Sequence, residues 1–236
     1  MKDRLKKLGY VLVVLGLGFV VAGGVGYSQT QSGYHSLQKF SEAQGVTLTY
    51  NEEGQLLDHG TVEGAEEIMN RLENEWGYKV VPSEMNPSDP LVNTASEYMY
   101  QMATISTHVL DGTQTVFLDE PIDYEGVHYE AGDPIDAAVA GRYYSQFDRS
   151  NPVNSEVRSA AWSGVVLGMI GELGVGTVTH SALKLALALS GLFAALGLVV
   201  IIAGAGLVWA SSGDGKKEIS IATDREVERE LTTAGV

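Results

Sequence analysis

Two long runs without a charged side chain dominate this chain of 236 residues. The first covers residues 9–27 and the second covers residues 185–210. At 1.5 Å per residue, a helix over the shorter run reaches about 28 Å, which is enough to cross the hydrocarbon core of a bilayer. The sequence therefore predicts a multi-pass membrane protein with two transmembrane helices.

Basic side chains precede the first apolar run and follow the second. These are Lys2, Arg4, Lys6 and Lys7 before the first run, and Lys216 and Lys217 after the second. Because cytoplasmic flanks are enriched in Lys and Arg, we expect both termini in the cytoplasm and the central residues outside. The alternative for the first run is a cleaved signal peptide. We favour a retained anchor, because the run is long for a signal core and no small-residue cleavage site follows it.

A third apolar stretch, residues 160–178, is interrupted by Glu172 and by several glycines. We interpret it as part of an amphipathic helix that leads into the second span. The alternative is a third crossing, which would put the C-terminal tail outside and disagree with the lysines that follow the second run. An ionisable group in such a stretch is either wet or paired, so Glu172 is a candidate contact to a partner subunit or to an ion path.

The region between the spans is strongly acidic. Residues 28–183 carry 23 acidic and 6 basic side chains, in a chain of formal net charge −15. Such a surface repels phosphate backbones, so we expect no nucleic-acid partner. We interpret the acidity as that of a soluble exterior domain. The alternative is a protein from a halophile, where salt screens the repulsion between carboxylates.

Short helical and strand patterns alternate between the spans. They predict a small α+β extracytoplasmic domain, with helices at 62–76 and 91–110 and a strand at 46–50 that pairs with 55–59. Further strands are predicted at 79–81 and at 115–118 paired with 127–130, and residues 134–144 fit either helix or strand. No internal repeat and no coiled-coil heptad is recognised. The predicted layout is a cytoplasmic N-terminus (1–8), first span (9–27), exterior domain (28–159), amphipathic helix (160–184), second span (185–210) and cytoplasmic tail (211–236).

No catalytic, cofactor or metal motif is recognised. The chain has no cysteine, which excludes disulfides and thiolate sites, and its five histidines are not spaced as a metal pair on one helix or strand. Seven acidic side chains between Asp119 and Asp136 lack the D-x-D-x-D-G pattern of a calcium loop. We therefore expect no cofactor, no metal and no enzymatic activity.

Candidate contact residues remain. Small residues, among them Gly204 and Gly206 in the second span, allow close packing between the spans or between protomers. Tyr143 and Tyr144 are candidate interface residues, because rigid amphipathic rings favour protein contacts. The expected partners are the lipid bilayer and either a second copy of the chain or another membrane protein.

The second half of the chain resembles a known group of proteins. The sequences ATISTHVL at 103–110, NPVN at 151–154 and RSA at 158–160, followed by the apolar stretch, carry this likeness over residues 95–210. They resemble uncharacterised two-span prokaryotic membrane proteins, many of them automatically labelled aromatic ring-opening dioxygenases. The resemblance implies the same two-span layout, and it transfers no functional residue, since no His/His/carboxylate arrangement is recognisable in the sequence.

Three functions stay open from the sequence. The sequence favours the first, a non-enzymatic, membrane-anchored structural or accessory subunit with an extracytoplasmic interaction domain. The second is an extracytoplasmic ligand-binding or sensor module. The third, an exterior hydrolase or metal enzyme, requires histidines and carboxylates that are distant in sequence to converge.

Overall fold

The computed structural model of the protein describes residues 1–212, and the predicted tail from residue 213 onward lies outside the described residues. These residues form the α-helices α1 (Lys2–Gln44), α2 (Val62–Asn70), α3 (Ala95–Ile105), α4 (Pro152–Ala161) and α5 (Gly164–Ser212). Six short strands are β1 (Thr49–Tyr50), β2 (Leu56–Leu57), β3 (Thr113–Phe117), β4 (Ile122–Tyr124), β5 (Val127–Tyr129) and β6 (Pro134–Ala138).

The chain forms two compact units. One unit, which we call the helix pair, contains Met1–Gly33 and the described residues after Ala182, and the other, the central domain, is Tyr34–Ala182. Two helical stretches, α1 and the Pro152–Ser212 stretch that holds α4 and α5, are long and apolar enough to cross a membrane. A small α+β region lies between them in the chain, which confirms the predicted fold class to that extent.

Glycines at every seventh position bring the two helices of the pair together. A Cβ atom added to Gly9, Gly16 or Gly23 would lie 2.7 Å from the carbonyl oxygen of Gly204, Gly197 or Ser190, respectively. Only a residue without a side chain permits that approach of two backbones. The contacts recur with a period of seven residues, which keeps one face of each helix on its partner. Coiled-coil heptads are recognised by large apolar residues at the repeating positions, whereas here the repeating positions of α1 are glycines.

The small-residue patterns of the sequence are thus split between two faces. Gly16, Gly23 and Gly204 lie in the contact between α1 and α5, whereas Gly18, Gly24 and Gly206 have nothing within 4 Å of an added Cβ. Phe19 and Phe193 stack beside the contact with ring centroids 5.9 Å apart. Of the two predicted glycine contacts, Gly204 therefore packs within the chain and Gly206 faces away from the partner helix.

In the central domain, the end of α1 is followed by a hairpin and then by two helices, each with a π-helical extension. Thr49 of β1 pairs with Leu57 of β2 in antiparallel register, as predicted. The predicted helix at 62–76 is α2 followed by the π-helical turn Arg71–Glu75, and Gly77 ends it at a φ of +66°. The predicted strand at 79–81 is wrong: no strand forms there, and the Val81 amide donates to Ser96 Oγ at 3.0 Å.

Helix α3 starts later than the pattern predicted. Thr94 caps it, and the Glu97 side chain reaches back to the Thr94 amide, so the two residues form a reciprocal capping box. The helix ends in the π-helical turn Ser106–Leu110. Tyr98 of α3 packs on Gly176 of α5, and its hydroxyl bonds to Ser41 Oγ at 2.7 Å, which joins three helices inside the central domain.

The second half of the central domain pairs its strands differently from the prediction. β3 pairs with β6, and the separate hairpin β4–β5 turns at Glu125 and Gly126, so 115–118 does not pair with 127–130. The segment 134–144 opens as strand β6. Side chains of β3, β6 and α4 form one buried cluster that includes Val116, Ile135, Val153 and Val157. Burial on both strands therefore selects this pairing over the local hairpin.

The predicted amphipathic helix at 160–184 is interrupted near its start. Residues Trp162 and Ser163 separate α4 from α5. The Ser163 hydroxyl accepts from the Val166 amide at 3.3 Å, as a residue capping the start of a helix does. Beyond the break, Val166 and Leu173 are buried and Glu172 is exposed, so one face of this part of α5 packs on the domain.

A leucine at Gly16 is expected to separate the helix pair, because its Cβ would meet the backbone oxygen of Gly197. A leucine at Gly18, with nothing within 4 Å, is the matched control. The contact between α1 and α5 is measured by placing cysteines at Phe19 and Phe193 and cross-linking them with a short bismaleimide. We expect the yield to fall severalfold in G16L and to stay unchanged in G18L. Equal yields in both variants would contradict the close backbone approach.

Candidate functional site

A tight turn in the central domain places a carboxylate beside a histidine. Asp58 and Thr61 exchange two backbone hydrogen bonds of 2.9 Å, and the residues between them, His59 and Gly60, have φ values of +48° and +79°. Two positive φ values are the signature of a type I′ turn. Glycine adopts this conformation freely, and His is one of the few other residue types enriched there. The turn therefore sets the backbone conformation from which the Asp58 and His59 side chains extend.

Thr61 holds this turn to helix α2. Its hydroxyl donates to the Asp58 carbonyl at 3.1 Å and accepts from the Gly64 amide at 3.1 Å, which caps the helix. An added Cβ on Gly64 would lie 2.9 Å from the Asp58 oxygen, so the helix start and the turn are in close contact. The position of Asp58 is consequently set by the packing of α2 as well as by the turn.

His108 reaches the same place from the end of α3. It lies in the π-helical turn Ser106–Leu110, and its Nε2 is 2.8 Å from Asp58 Oδ2. Its ring stacks on that of His59, with centroids 4.3 Å apart and an interplanar angle of 17°. Asp111 follows the π-helical turn that contains His108, and it forms an ion pair with Arg71 in the π-helical turn after α2. Residues 50 positions apart are thus brought together by helix packing.

Tyr100 lies in the wall of the cleft that opens beside this group. It is only 3% exposed, and among the described residues its hydroxyl has no hydrogen-bond partner. Burial, and secondly the charge of Asp58, raises the pKa of this phenol, so it stays a neutral donor at any physiological pH. Burial likewise raises the pKa of the nearby Tyr50 to about 12. An unmet hydroxyl of this kind costs roughly 1–3 kcal/mol of stability.

The cleft is small and largely polar. Its volume is about 210 Å³, and it is lined by Thr47, Leu48, Thr49, Leu57, Asp58, His59, Gly60, Tyr100, Gln101 and Thr104. Asp58, His59 and His108 each offer one donor atom, and these three atoms lie within 4.8 Å of one another. Two imidazole nitrogens with one carboxylate oxygen form a donor set that holds first-row divalent metal ions.

The other histidines do not join this group. His128 lies on the β4–β5 hairpin, where its Nδ1 is 2.7 Å from Asp123 Oδ1, and that contact raises the pKa of this exposed ring. His180 is buried on α5 within the central domain, 4.0 Å from Glu84 Oε1. His59 and His108 therefore meet in the fold, whereas His128 lies on a separate hairpin.

The predicted contact residues are distributed over other surfaces. Glu172 is exposed and borders an apolar cavity of about 120 Å³ inside the central domain, which Phe40, Tyr98 and Leu173 also line. Tyr143 is 76% exposed. The ring of Tyr144 packs edge-on against Trp162. None of these residues belongs to the Asp58 cleft.

Part of the cleft had a readable signal in the sequence. An Asp-His-Gly-Thr string between a strand and a helix predicts a tight turn with a capped helix after it. The partner His108 and the burial of Tyr100 had no such signal, because both depend on how α3 packs against the hairpin.

Replacing Tyr100 by Phe is expected to raise the stability of the full chain by about 1 kcal/mol, because it removes a buried hydroxyl without a partner. Tyr98→Phe is the matched control on the same helix. Its hydroxyl bonds to Ser41, so its loss is expected to cost about 1 kcal/mol. Thermal unfolding in detergent reads both shifts. A loss of stability in Y100F as large as that in Y98F would show that the hydroxyl is satisfied.

No protein-family model, no curated protein and no solved structure matches the chain.

Proposed function

We propose that this chain is a two-span membrane protein whose central domain lies outside the cytoplasm as a non-catalytic ligand-binding module. The observation that carries the binding role is the cleft beside the Asp58–Thr61 turn. Asp58, His59 and the buried Tyr100 line this cleft, and His108 contacts Asp58 there. A protein that keeps an unmet buried hydroxyl beside an open cleft gives up stability there, which is typical of a binding site.

The surface of the helix pair supports insertion into a bilayer. Only 17% and 11% of the residues in the two apolar windows are buried. Large apolar side chains such as Val14 and Ile202, each 70% exposed, point away from the partner helix. Helices at the core of a soluble protein bury such side chains, whereas lipid covers them in a membrane.

The glycine contacts support a retained first helix. Gly197 and Gly204 of α5 pack against Gly16 and Gly9 of α1. Cleavage of a signal peptide would remove that partner and leave the glycine face of α5 uncovered. The basic residues before α1, together with Lys216 and Lys217, favour a cytoplasmic location for both termini of the chain.

An accessory-subunit role is the second candidate, and a different surface favours it. A shallow cleft of about 370 Å³ in the central domain is lined by Trp76, Arg142 and Tyr143 among others. Trp, Tyr and Arg are the residues that dominate binding energy at protein interfaces. A stoichiometric partner in the gently extracted native particle, lost in Tyr143→Ala, would favour this role.

Cysteine labelling tests the topology, because the chain has no native thiol. Ser88 is exposed in the central domain, so we expect S88C to react with an impermeant maleimide in intact cells. We expect S220C, in the tail, to react only after permeabilisation. Ser96, in contrast, is fully buried and bonded to Glu84, and is unsuitable as a labelling position. Labelling of S220C in intact cells, or protection of S88C, would refute the proposed orientation.

A further inference from the structure

We propose that Asp58, His59 and His108 bind a divalent first-row transition-metal ion, with Zn²⁺ as the ion that best fits their donor set. This inference rests on the binding role proposed for the cleft and names its ligand class. The three donor atoms come from two separate parts of the chain, and all lie within 4.8 Å of one another.

The distances require only small movements to close around an ion. Ligand atoms about 2.0–2.2 Å from a tetrahedral zinc ion lie roughly 3.4 Å from each other. The Asp58 Oδ2–His108 Nε2 pair, at 2.8 Å, must therefore open slightly, and the ion replaces the hydrogen bond between them. His59 must turn out of its stack on His108, because an imidazole binds a metal in the plane of its ring. His59 is exposed, so this rotation meets little resistance.

The protein part of the site is otherwise held in place. The Asp58 backbone is fixed by its two hydrogen bonds to Thr61, and Thr61 in turn caps α2. His108 is fixed by the π-helical turn at the end of α3, a type of irregular helix that recurs at functional sites. Asp58 and His108 are thus held by packed elements, and His59 completes the site by rotating inward from the surface.

Tyr100 provides an independent indication of a ligand in the same cleft. The residue lines the cleft, and its buried hydroxyl has no hydrogen-bond partner among residues 1–212. Three protein ligands leave one position of a tetrahedral ion for water or an anion. The Tyr100 hydroxyl is a neutral donor suited to holding the group in that position.

The chemistry of the donors selects the ion. Calcium and magnesium prefer oxygen ligands throughout, whereas imidazole nitrogen suits zinc and its neighbours in the first transition row. The acidic surroundings of the central domain, with 23 acidic against 6 basic side chains in residues 28–183, attract cations in general. Selectivity for zinc over calcium therefore depends on His59 and His108 specifically.

The test titrates Zn²⁺ alone into the tag-free full chain in detergent, by calorimetry and by thermal unfolding. His59→Asn is the sharpest variant, because Asn tolerates the positive φ of this position and removes only the imidazole. We expect saturable one-to-one binding that raises the unfolding temperature. We also expect H59N to weaken it by at least about tenfold and H59N combined with H108N to abolish it. Ca²⁺ and Mg²⁺ are expected to have no matching effect.

His128→Asn is the matched control, since His128 contacts Asp123 and Glu130 on the separate β4–β5 hairpin. We expect H128N to bind zinc as the unaltered chain does. Absence of saturable zinc binding, unchanged binding in H59N combined with H108N, or loss of binding in H128N would each overturn the site. The labelling of S88C does not depend on metal, so a failure there refutes the membrane orientation and leaves the zinc result to be judged separately.

Discussion

The helix pair depends on the close contact of two backbones at Gly9, Gly16 and Gly23 of α1. An added Cβ at any of these positions would overlap α5, so the contact exists only because these residues lack side chains. Lipid gives apolar helices no hydrophobic reason to associate, and backbone proximity of this kind is what stabilises helix pairs in that environment. Gly33 packs on Leu183 at the end of the helix pair.

Inside the central domain, irregular backbone creates the candidate site. Regular helix and strand would not bring Asp58, His59 and His108 together. The turn with two positive φ values aims His59 beside Asp58, and the π-helical turn at the end of α3 carries His108 to them. Such conformations cost free energy and persist where the surrounding packing enforces them. Here the capping threonine of α2 and the Arg71–Asp111 ion pair supply that packing.

The sequence predicted the features that depend on local pattern. Uncharged length revealed the two long helices, and apolar spacing revealed α2 and most of α3. The capping box of Thr94 and Glu97 was equally local and would have set the start of α3 correctly. The predicted pairing of 115–118 with 127–130 is wrong, because it took the partner of β3 from the nearest strand in sequence. The choice of β6 depends instead on burying Val116 and Ile135 against α4, which no local pattern encodes. The site was missed for the same reason, since His59 and His108 are far apart in sequence and meet only through tertiary packing.

Zinc X-ray absorption spectroscopy on the loaded full chain tests most directly whether the cleft of the central domain binds a metal ion. We expect a nearest shell of nitrogen and oxygen at about 2.0–2.2 Å from the ion, with the outer-shell scattering of two imidazole rings. In H59N we expect the scattering of one ring. A spectrum of the unaltered chain with oxygen neighbours alone, or with two rings that persist in H59N, would contradict the assignment of Asp58, His59 and His108 as the ligands.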